Sequence, residues 1–324
     1  MISIIIPTYN RKDELEDLLP SLRRQKSTVL FEIIVVDDGS TDGTRELLKN
    51  LAEDWKGRLR FLEQNRAGPG AARNLGIKHA NGDILVFVDS DCIAPSEWLT
   101  KLTSGFDNPQ VGAVGGPELA PPNDCLLRKC QSYVMTAFLT TGGLRGRKGN
   151  KLGVYYPRSF NMAVRKRSIE VVGGFPKRLY GEDILVGFKV KQMGYTLEFA
   201  PDAAIYHHRR ATLSQYFMQL YRMGKARVEL ACLHKSLLEL IYVLPALMLL
   251  FSMILGCGSF FSETLFEISA GGIIIALTFL TTIGIHSAIR LKTLKAFGIV
   301  PFLFILQQTA YGLGTIVAAL RRQA

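Results

Sequence analysis

DILVFVDSDC, residues 83–92, is the stretch that decides the fold, because the apolar run from Ile84 to Val88 ends at the carboxylates Asp89 and Asp91. A short, continuously apolar run predicts a strand buried on both faces, as in a parallel sheet. Carboxylates at positions i and i+2 lie on one side of an extended chain, and ligands of open α/β sheets bind at the carboxyl ends of the strands. Two neighbouring carboxylates suit Mg²⁺ or Mn²⁺, but the pattern alone fits a pair of solvated loop acids equally well.

Strand and helix patterns alternate through the first two thirds of the chain. Short apolar runs predict the strands, and apolar residues at helical spacing predict the helices between them. This alternation predicts an α/β fold with a doubly wound sheet and right-handed crossovers. The predicted strands are 2–6, 31–36, 58–64, 84–88, 111–115, 196–199 and 203–206. The predicted helices are 12–26, one that follows 41–44 and ends at about 52, 71–79, 95–105 and 184–193. Residues 117–122 are predicted to be a linker, with a mixed segment after it.

The composition narrows the class of protein. The 324 residues carry a net charge of +11, and 48% of them are hydrophobic. A chain that is both basic and apolar fits an anionic membrane surface better than a nucleic acid, for which no signature is present. The five cysteines show no CxxC spacing, which predicts reduced thiols in the cytosol. The first residues, MISIIIPTYN, have no basic region, so we expect no cleaved signal peptide and a cytosolic N-terminal domain.

Three apolar stretches close the chain, at about 237–260, 265–289 and 297–320. Each reaches the roughly 20 residues that a membrane helix needs. The loop between the first two is acidic and the loop between the last two is basic, which predicts that the second loop is cytosolic. Three crossings conflict with that rule at Arg321 and Arg322, so a re-entrant last segment with two crossings stays open.

Aromatic and basic residues mix along a helical pattern at 213–234. This mixture predicts a helix that lies in the membrane interface, with a core helix of the soluble domain as the alternative. The expected domains are therefore a cytosolic domain at 1–210, an interfacial helix at 211–235 and a membrane domain at 236–324.

Three further signals have both structural and functional interpretations. The loop Gly68-Pro69-Gly70 is an ordinary turn or, with Arg73, a cradle for a diphosphate. The basic patch 145–151 is a solvated mobile loop or a cover for a phosphate. Glu182 and Asp183 are favourably placed against a helix dipole or supply a general base.

Taken together, these motifs resemble those of a family 2 glycosyltransferase of the GT-A fold. Each motif is weak alone, but they follow the family's order over about residues 1–230. The C-terminal helices resemble those of membrane-bound members that act on lipid-linked or polysaccharide acceptors. The matching pieces are Pro7-Thr8-Tyr9-Asn10, Asp37-Asp38-Gly39-Ser40, Ala72-Arg73-Asn74, Gly82-Asp83, Asp89-Ser90-Asp91, Gly173-Gly174-Phe175, Glu182-Asp183 and Gln219-Leu220-Tyr221-Arg222.

The resemblance implies a nucleotide-sugar donor, with UDP- and GDP-sugars both open. The implied donor-binding residues are Pro7, Tyr9, Asp38, Arg73 and Asp89. The resemblance implies that Tyr9 stacks on the base, Asp38 accepts a base N–H, and Asp89 contacts the ribose or the sugar.

The resemblance also implies a divalent metal ion, Mn²⁺ or Mg²⁺, held by Asp91 on the diphosphate. His207 is the favoured second ligand, with His208 as an alternative, and a histidine pair at the membrane surface is the structural interpretation. The implied general base is Asp183, which takes the proton of an acceptor hydroxyl as it attacks in line and inverts the anomeric centre.

Glu182, Gln219 and Arg222 are expected on the acceptor side. Processive membrane synthases of the family carry Gln-x-x-Arg-Trp, whereas Met223 stands at the tryptophan position here. We therefore expect transfer of one or a few sugars to a membrane-associated glycan or lipid-linked acceptor hydroxyl. One alternative is transfer to a polyprenyl phosphate, which is already ionised and needs no base. An alternative of another class is a membrane scaffold or transporter with a degenerate nucleotide-binding domain.

Overall fold

The computed structural model describes residues 1–55, 57–142, 154–176 and 180–321. The described chain forms two compact units: the first contains residues 1–121 and 154–208, and the second contains residues 122–142 and 209–321. The basic patch 145–151, for which the sequence left two roles open, lies outside the described residues.

Strands occur in the first unit and helices in both. The strands are β1 (Ile2–Thr8), β2 (Phe31–Asp37), β3 (Leu59–Glu63), β4 (Ile84–Phe87), β5 (Cys92–Ile93), β6 (Val111–Gly115), β7 (Glu118–Leu119), β8 (Met162–Arg165), β9 (Thr196–Phe199) and β10 (Ile205–His207). The helices are α1 (Lys12–Arg23), α2 (Thr44–Asp54), α3 (Pro69–His79), α4 (Trp98–Thr103), α5 (Leu126–Thr136), α6 (Phe138–Thr141), α7 (Lys166–Val171), α8 (Glu182–Gln192), α9 (Leu213–Leu233), α10 (Leu240–Gly258), α11 (Glu263–Arg290) and α12 (Lys295–Arg321).

The first unit is organised around a seven-stranded sheet in the order β3-β2-β1-β4-β8-β6-β9. Strands β1 to β4 are parallel to one another, so their carboxyl ends meet at one edge. The prediction of an α/β fold with a doubly wound sheet is confirmed. The sequence did not predict β8, which is antiparallel to both β4 and β6.

Both faces of this sheet are covered, which explains why its strands are mostly apolar. Ile4 and Ile6 of β1 pack with α1 on one face, and Ile5 packs on the other with α3 residues such as Ala72. Ile4, Ile5 and Ile6 are fully buried. Burial of one such side chain stabilises the fold by about 1.5–3 kcal/mol.

A second, three-stranded sheet in the order β5-β10-β7 adjoins the carboxyl edge of the large one. It aligns His207 with Cys92 and Ile205 with Glu118. The buried side chain of Asn161 ties this region together, since its Nδ2 donates to the carbonyl of Ala203 at 2.8 Å. β7 and β10 come from distant parts of the sequence, and their pairing brings Glu118 close to His207.

The second unit is helical and contains α5, α6 and α9 to α12. Helices α10, α11 and α12 are long and apolar enough to cross a membrane, which agrees with the three apolar stretches in the sequence. The helices α5 and α6 were not predicted and fall in the segment that the sequence left irregular.

Within this unit, α9 packs closely against α12. A Cβ atom added to Gly224 would lie 2.0 Å from the carbonyl oxygen of Tyr311, and one added to Gly314 would lie 2.0 Å from that of Tyr221. The two backbones are therefore in contact, as in helix pairs with small residues at the crossing. The placement of α9 in a membrane interface stays a prediction.

Candidate active site

The candidate site lies where β1, β2 and β4 end. The loops that follow these three parallel strands carry Tyr9, Asp38 and the pair Asp89 and Asp91. Pro7 lies within β1, buried and paired in register with Val36. The predicted donor-binding residues therefore line the carboxyl edge of the sheet, where ligands of open α/β sheets bind.

A carboxylate–imidazole–carboxylate chain forms the centre of the site. Nε2 of His207 lies 3.2 Å from Oδ1 of Asp91, and Nδ1 of the same ring lies 3.1 Å from Oε2 of Glu118. All three residues are buried. The ring also stacks on Phe160, with 4.9 Å between the ring centres. These contacts fix the orientation of the imidazole.

The histidine ring carries a shifted pKa. Burial lowers the pKa of His207, but the carboxylates of Asp91 and Glu118 outweigh that effect and raise it to about 9. Of the two histidines that the sequence left open, His207 has its ring beside Asp91. His208 uses its backbone N–H instead, which donates to the carbonyl of Asp91 at 3.0 Å.

The donor set fits a divalent cation. Ligand atoms of Asp91, His207 and Cys92 lie within 4.8 Å of one another. Oxygen and imidazole ligands suit Mn²⁺, and a second carboxylate on the far ring nitrogen is the usual support of a metal-bound histidine. The thiol is a poor ligand for such a hard ion, since burial raises the pKa of Cys92 well above its ordinary value and its Sγ faces the carbonyl of Phe160 at 3.8 Å. Asp91 and His207 are thus the residues that would hold the metal.

Arg73 connects two further carboxylates of the site. Its Nη2 donates to Oδ1 of Asp89 and its Nη1 donates to Oε1 of Glu182, both at 2.7 Å. Arg73 is 3% exposed. Burial lowers the pKa of Arg73, but the charges of Asp89 and Glu182 more than offset this and raise it. For Glu182, burial raises the pKa, which the charge of Arg73 offsets in part. The arginine therefore holds the end of β4 against the start of α8.

Asp183 lies next to Glu182 in the first turn of α8. Its Oδ2 accepts a hydrogen bond from the backbone N–H of Ser159 at 3.2 Å, and its Oδ1 lies 3.6 Å from Nη1 of Arg158. Gly181 precedes the helix with a φ of +83°, a conformation that favours glycine. The turn at Gly181 thus sets where α8 begins, and with it the positions of the Glu182 and Asp183 carboxylates.

The predicted base-binding residues form a separate group. Oδ1 of Asp38 accepts the N–H of Ala67 at 2.8 Å, and Oδ2 accepts that of Gly68 at 2.9 Å. The guanidinium carbon of Arg66, which the sequence analysis did not select, lies 3.5 Å from the centre of the Tyr9 ring. Asp38 therefore shapes the loop before α3, and that loop delivers a cation to the ring face of Tyr9.

The predicted acceptor-side residues divide between the two units. Glu182 belongs to the first unit, whereas Gln219 and Arg222 lie on α9 in the second. Gln219 is partly buried and Arg222 is exposed. Glu118 was missed, because the sequence analysis placed residues 117–122 in a linker, whereas Glu118 and Leu119 form the two-residue strand β7. A strand this short in a proline-rich stretch gives no local signal.

Comparison with known proteins identifies the class. The sequence model of glycosyl transferase family 2 matches residues 3–172, which is more than half of the chain, and the protein belongs to that family. It is therefore a glycosyltransferase that acts on sugar donors, and the scaffold or transporter alternative is not supported.

Two relatives that align over most of this chain share less than a third of their aligned residues with it. The chain is 29% identical over 249 residues to the glycosyltransferase AglE of Haloferax volcanii, which covers 75% of this chain and 78% of the relative. It is 24% identical over 250 residues to the succinoglycan biosynthesis protein ExoA of Rhizobium meliloti, covering 75% and 73% of the two chains. Its relatives thus include proteins of polysaccharide and glycan synthesis.

Among solved structures, the mannosyltransferase PcManGT of Pyrobaculum calidifontis, in complex with GDP-Man and Mn²⁺, has a similar fold. The TM-score is 0.73 at 21% identity, and the match covers 99% of this chain and 87% of that one. At this identity the likeness concerns the fold, which is of the GT-A type.

Proposed function

We propose that this protein is an inverting, metal-dependent glycosyltransferase that moves a sugar from a nucleotide-diphosphate donor to a membrane-associated acceptor. The acceptor is a hydroxyl of a lipid-linked or polysaccharide glycan, and one or a few sugars are added. The observation that carries this proposal is the Asp91–His207–Glu118 chain at the carboxyl edge of the parallel strands. It combines a hard-metal donor set with the edge at which a nucleotide binds.

Asp91 and His207 would hold Mn²⁺ or Mg²⁺, and the bound metal would neutralise charge on the departing diphosphate. Arg73 orients Asp89 towards the donor by holding its carboxylate at 2.7 Å. Tyr9 offers an aromatic face to the base. Since one proton must leave the acceptor hydroxyl, Asp183 takes it while the oxygen attacks the anomeric carbon.

The donor is a UDP- or GDP-sugar. The GDP-Man complex of PcManGT supports a guanosine donor, with uridine as the alternative. Discrimination between the two bases depends on Tyr9, Asp38 and Arg66. These residues meet at the loop before α3, since Asp38 binds its backbone and Arg66 lies in it.

We place the catalytic unit on the cytoplasmic face of the cell membrane, with α10, α11 and α12 crossing the bilayer. The turn between α11 and α12 is basic, with Arg290, Lys292 and Lys295, and positive charge favours the cytoplasmic side.

The test is release of nucleoside diphosphate by the detergent-solubilised full chain across a panel of UDP- and GDP-sugars, with Mn²⁺, Mg²⁺ or EDTA. We expect one donor to support metal-dependent release that is lost in Asp91→Ala and kept in Asp107→Ala, a control at an exposed acid. Because a missing acceptor can suppress turnover, donor binding is measured in parallel. Absence of both turnover and metal-dependent donor binding contradicts the proposal.

Transfer to a polyprenyl phosphate is a second candidate, favoured by the position of Arg158. Its guanidinium lies 3.6 Å from Asp183 and supplies positive charge where an anionic acceptor would approach. A phosphate acceptor is already ionised, so Asp183→Asn should keep near-normal activity with it. A hydroxyl acceptor requires the base, whose contribution is about 10²–10⁴ in rate.

A further inference from the structure

Arg227 on α9 is a buried cation that contacts no anion in the part of the chain that the structure describes. The residue is 7% exposed. Its Nη1 atom is enclosed and has no hydrogen-bond partner among the described residues. The neighbouring ion pair on the same helix, Lys225 with Glu229 at 3.3 Å, does not include it. Buried charges in proteins are normally paired, because an unpaired one carries a large desolvation cost.

One favourable contact of Arg227 is with an aromatic ring. Its guanidinium carbon lies 3.4 Å from the centre of the Tyr242 ring. A cation–π contact offsets part of the desolvation cost, but it supplies no hydrogen-bond acceptor and no negative charge. Stacking on one face leaves the N–H donors at the edge of the guanidinium to bind an anion.

The position of Tyr242 indicates where that anion comes from. Tyr242 is the third residue of α10 (Leu240–Gly258), whose apolar span has the length and composition of a membrane helix. Tyrosine at the end of such a span lies at the level of the lipid headgroups. The anions at that level are phosphates, and arginine binds phosphate by paired, charge-assisted hydrogen bonds.

We propose that Arg227, held against Tyr242, binds the phosphate group of a lipid. Two lipids supply this chemistry: an anionic phospholipid of the bilayer and a polyprenyl phosphate. The site lies in the second unit and depends on neither the donor nor the metal of the proposed reaction.

The experiment uses the full chain purified in dodecyl maltoside and measures its thermal midpoint as lipid is added to the micelles. The arms are phosphatidylglycerol, farnesyl phosphate and, as a phosphate-free reference, dioleoylglycerol. We expect a saturable rise with one or both anionic lipids. In Arg227→Gln the same rise should need about tenfold more lipid, which corresponds to the loss of one strong hydrogen-bonded contact. The anionic lipid that saturates at the lower mole fraction identifies the source of the phosphate.

Matched variants separate a binding site from a general effect of charge. Lys235→Gln removes one exposed positive charge close to the start of α10 and should leave the response unchanged. Tyr242→Phe keeps the ring and should respond as the wild type, whereas Tyr242→Leu removes the stack and should weaken binding. The Tyr242 pair keeps the test decisive if Arg227→Gln does not fold.

Two results overturn the proposal. One is an equal response of the wild type, Arg227→Gln and Tyr242→Leu to both anionic lipids. The other is a loss in Lys235→Gln as large as that in Arg227→Gln, since that would mean a diffuse attraction of the basic surface.

Discussion

Nδ1 of His207 lies 3.1 Å from Oε2 of Glu118, a carboxylate that is only 3% exposed. A buried acid in this position holds the ring so that Nε2 faces Asp91, 3.2 Å away. Metal-binding histidines commonly have such a partner on their second nitrogen, and the partner raises the basicity of the ligand. Glu118 thus acts on the proposed metal through His207.

Glu118→Gln should weaken Mn²⁺ binding by about 10- to 100-fold, because the amide keeps the shape of the side chain but loses its negative charge. The purified chain is titrated with Mn²⁺, and electron paramagnetic resonance measures the free ion. This gives the affinity for Mn²⁺ without any turnover. Glu97→Gln is the matched control, since Glu97 is exposed and pairs with Lys101 at 2.8 Å. Equal affinities of wild type and Glu118→Gln would show that the contact has no role in metal binding.

Arg73→Lys should lower kcat/KM for diphosphate release by about 10²-fold. A lysine keeps the charge, but one ammonium group cannot reproduce the two bonds of 2.7 Å to Asp89 and Glu182. The carboxylates then shift relative to each other, and displacements near 1 Å cost about this much in rate. Steady-state kinetics with the identified donor measure the effect.

The control for Arg73 is Arg23→Lys, at an exposed pair with Asp54 on the same unit. Its kinetics should match the wild type. If Arg73→Lys is equally active, the bridge between β4 and α8 is structural and the donor does not depend on it.

The sequence predicted those parts of the fold whose signals are local. The strands Ile2–Thr8 and Phe31–Asp37 are buried throughout and mostly apolar, because both faces of the sheet are covered. Each ends at the turn that carries site residues. The edge at which Asp89 and Asp91 lie follows directly from this pattern. The family assignment followed because the motifs occur at the ends of those strands.

The missed features depend on pairing between distant segments. The four residues of β8 show no alternation, and their strand register is set by β4 and β6. Glu118 lies in a stretch rich in proline. It meets His207, 89 positions further on, only because β7 pairs with β10. The stack of Arg66 on Tyr9 also depends on the loop that Asp38 holds. No local pattern reports such contacts.

Gly174→Ala should destabilise the first unit more than Gly173→Ala does. Both glycines have positive φ, +70° and +85°, so each alanine carries a backbone cost of about 1–2 kcal/mol. A Cβ at Gly174 would also lie 2.5 Å from Oδ1 of Asn74, whereas nothing lies within 4 Å at Gly173. That oxygen accepts the N–H of Phe175 at 2.8 Å, so the added methyl group displaces this bond.

The two alanine variants control for each other, and the difference between their thermal midpoints isolates the contact with Asn74. We expect Gly174→Ala to be less stable by about 1–3 kcal/mol, the usual cost of crowding a packed site. Equal midpoints would mean that the Asn74 side chain moves away without loss.

Glu32→Gln should lower stability at neutral pH and have a much smaller effect in acid. Glu32 Oε1 accepts hydrogen bonds from Oγ of Ser3 at 2.6 Å and from N of Asn81 at 2.7 Å, and its Oε2 accepts one from Nη2 of Arg60 at 2.6 Å. Burial raises the pKa of Glu32, but these bonds outweigh it and lower the pKa below the ordinary value of 4.5.

A carboxylate whose pKa is lower in the folded state contributes stability above its unfolded pKa and loses it as the pH falls through the folded pKa. The difference between wild type and Glu32→Gln should therefore be about 2 kcal/mol at pH near 7, the range for hydrogen bonds to a charged group. It should shrink steadily once the pH drops below 4.5, the ordinary value. Thermal midpoints measured across this pH range, beside Glu53→Gln as an exposed control, test the sign. A difference that stays constant with pH would show that the shape of the side chain, and not its charge, stabilises the amino-terminal edge of the sheet.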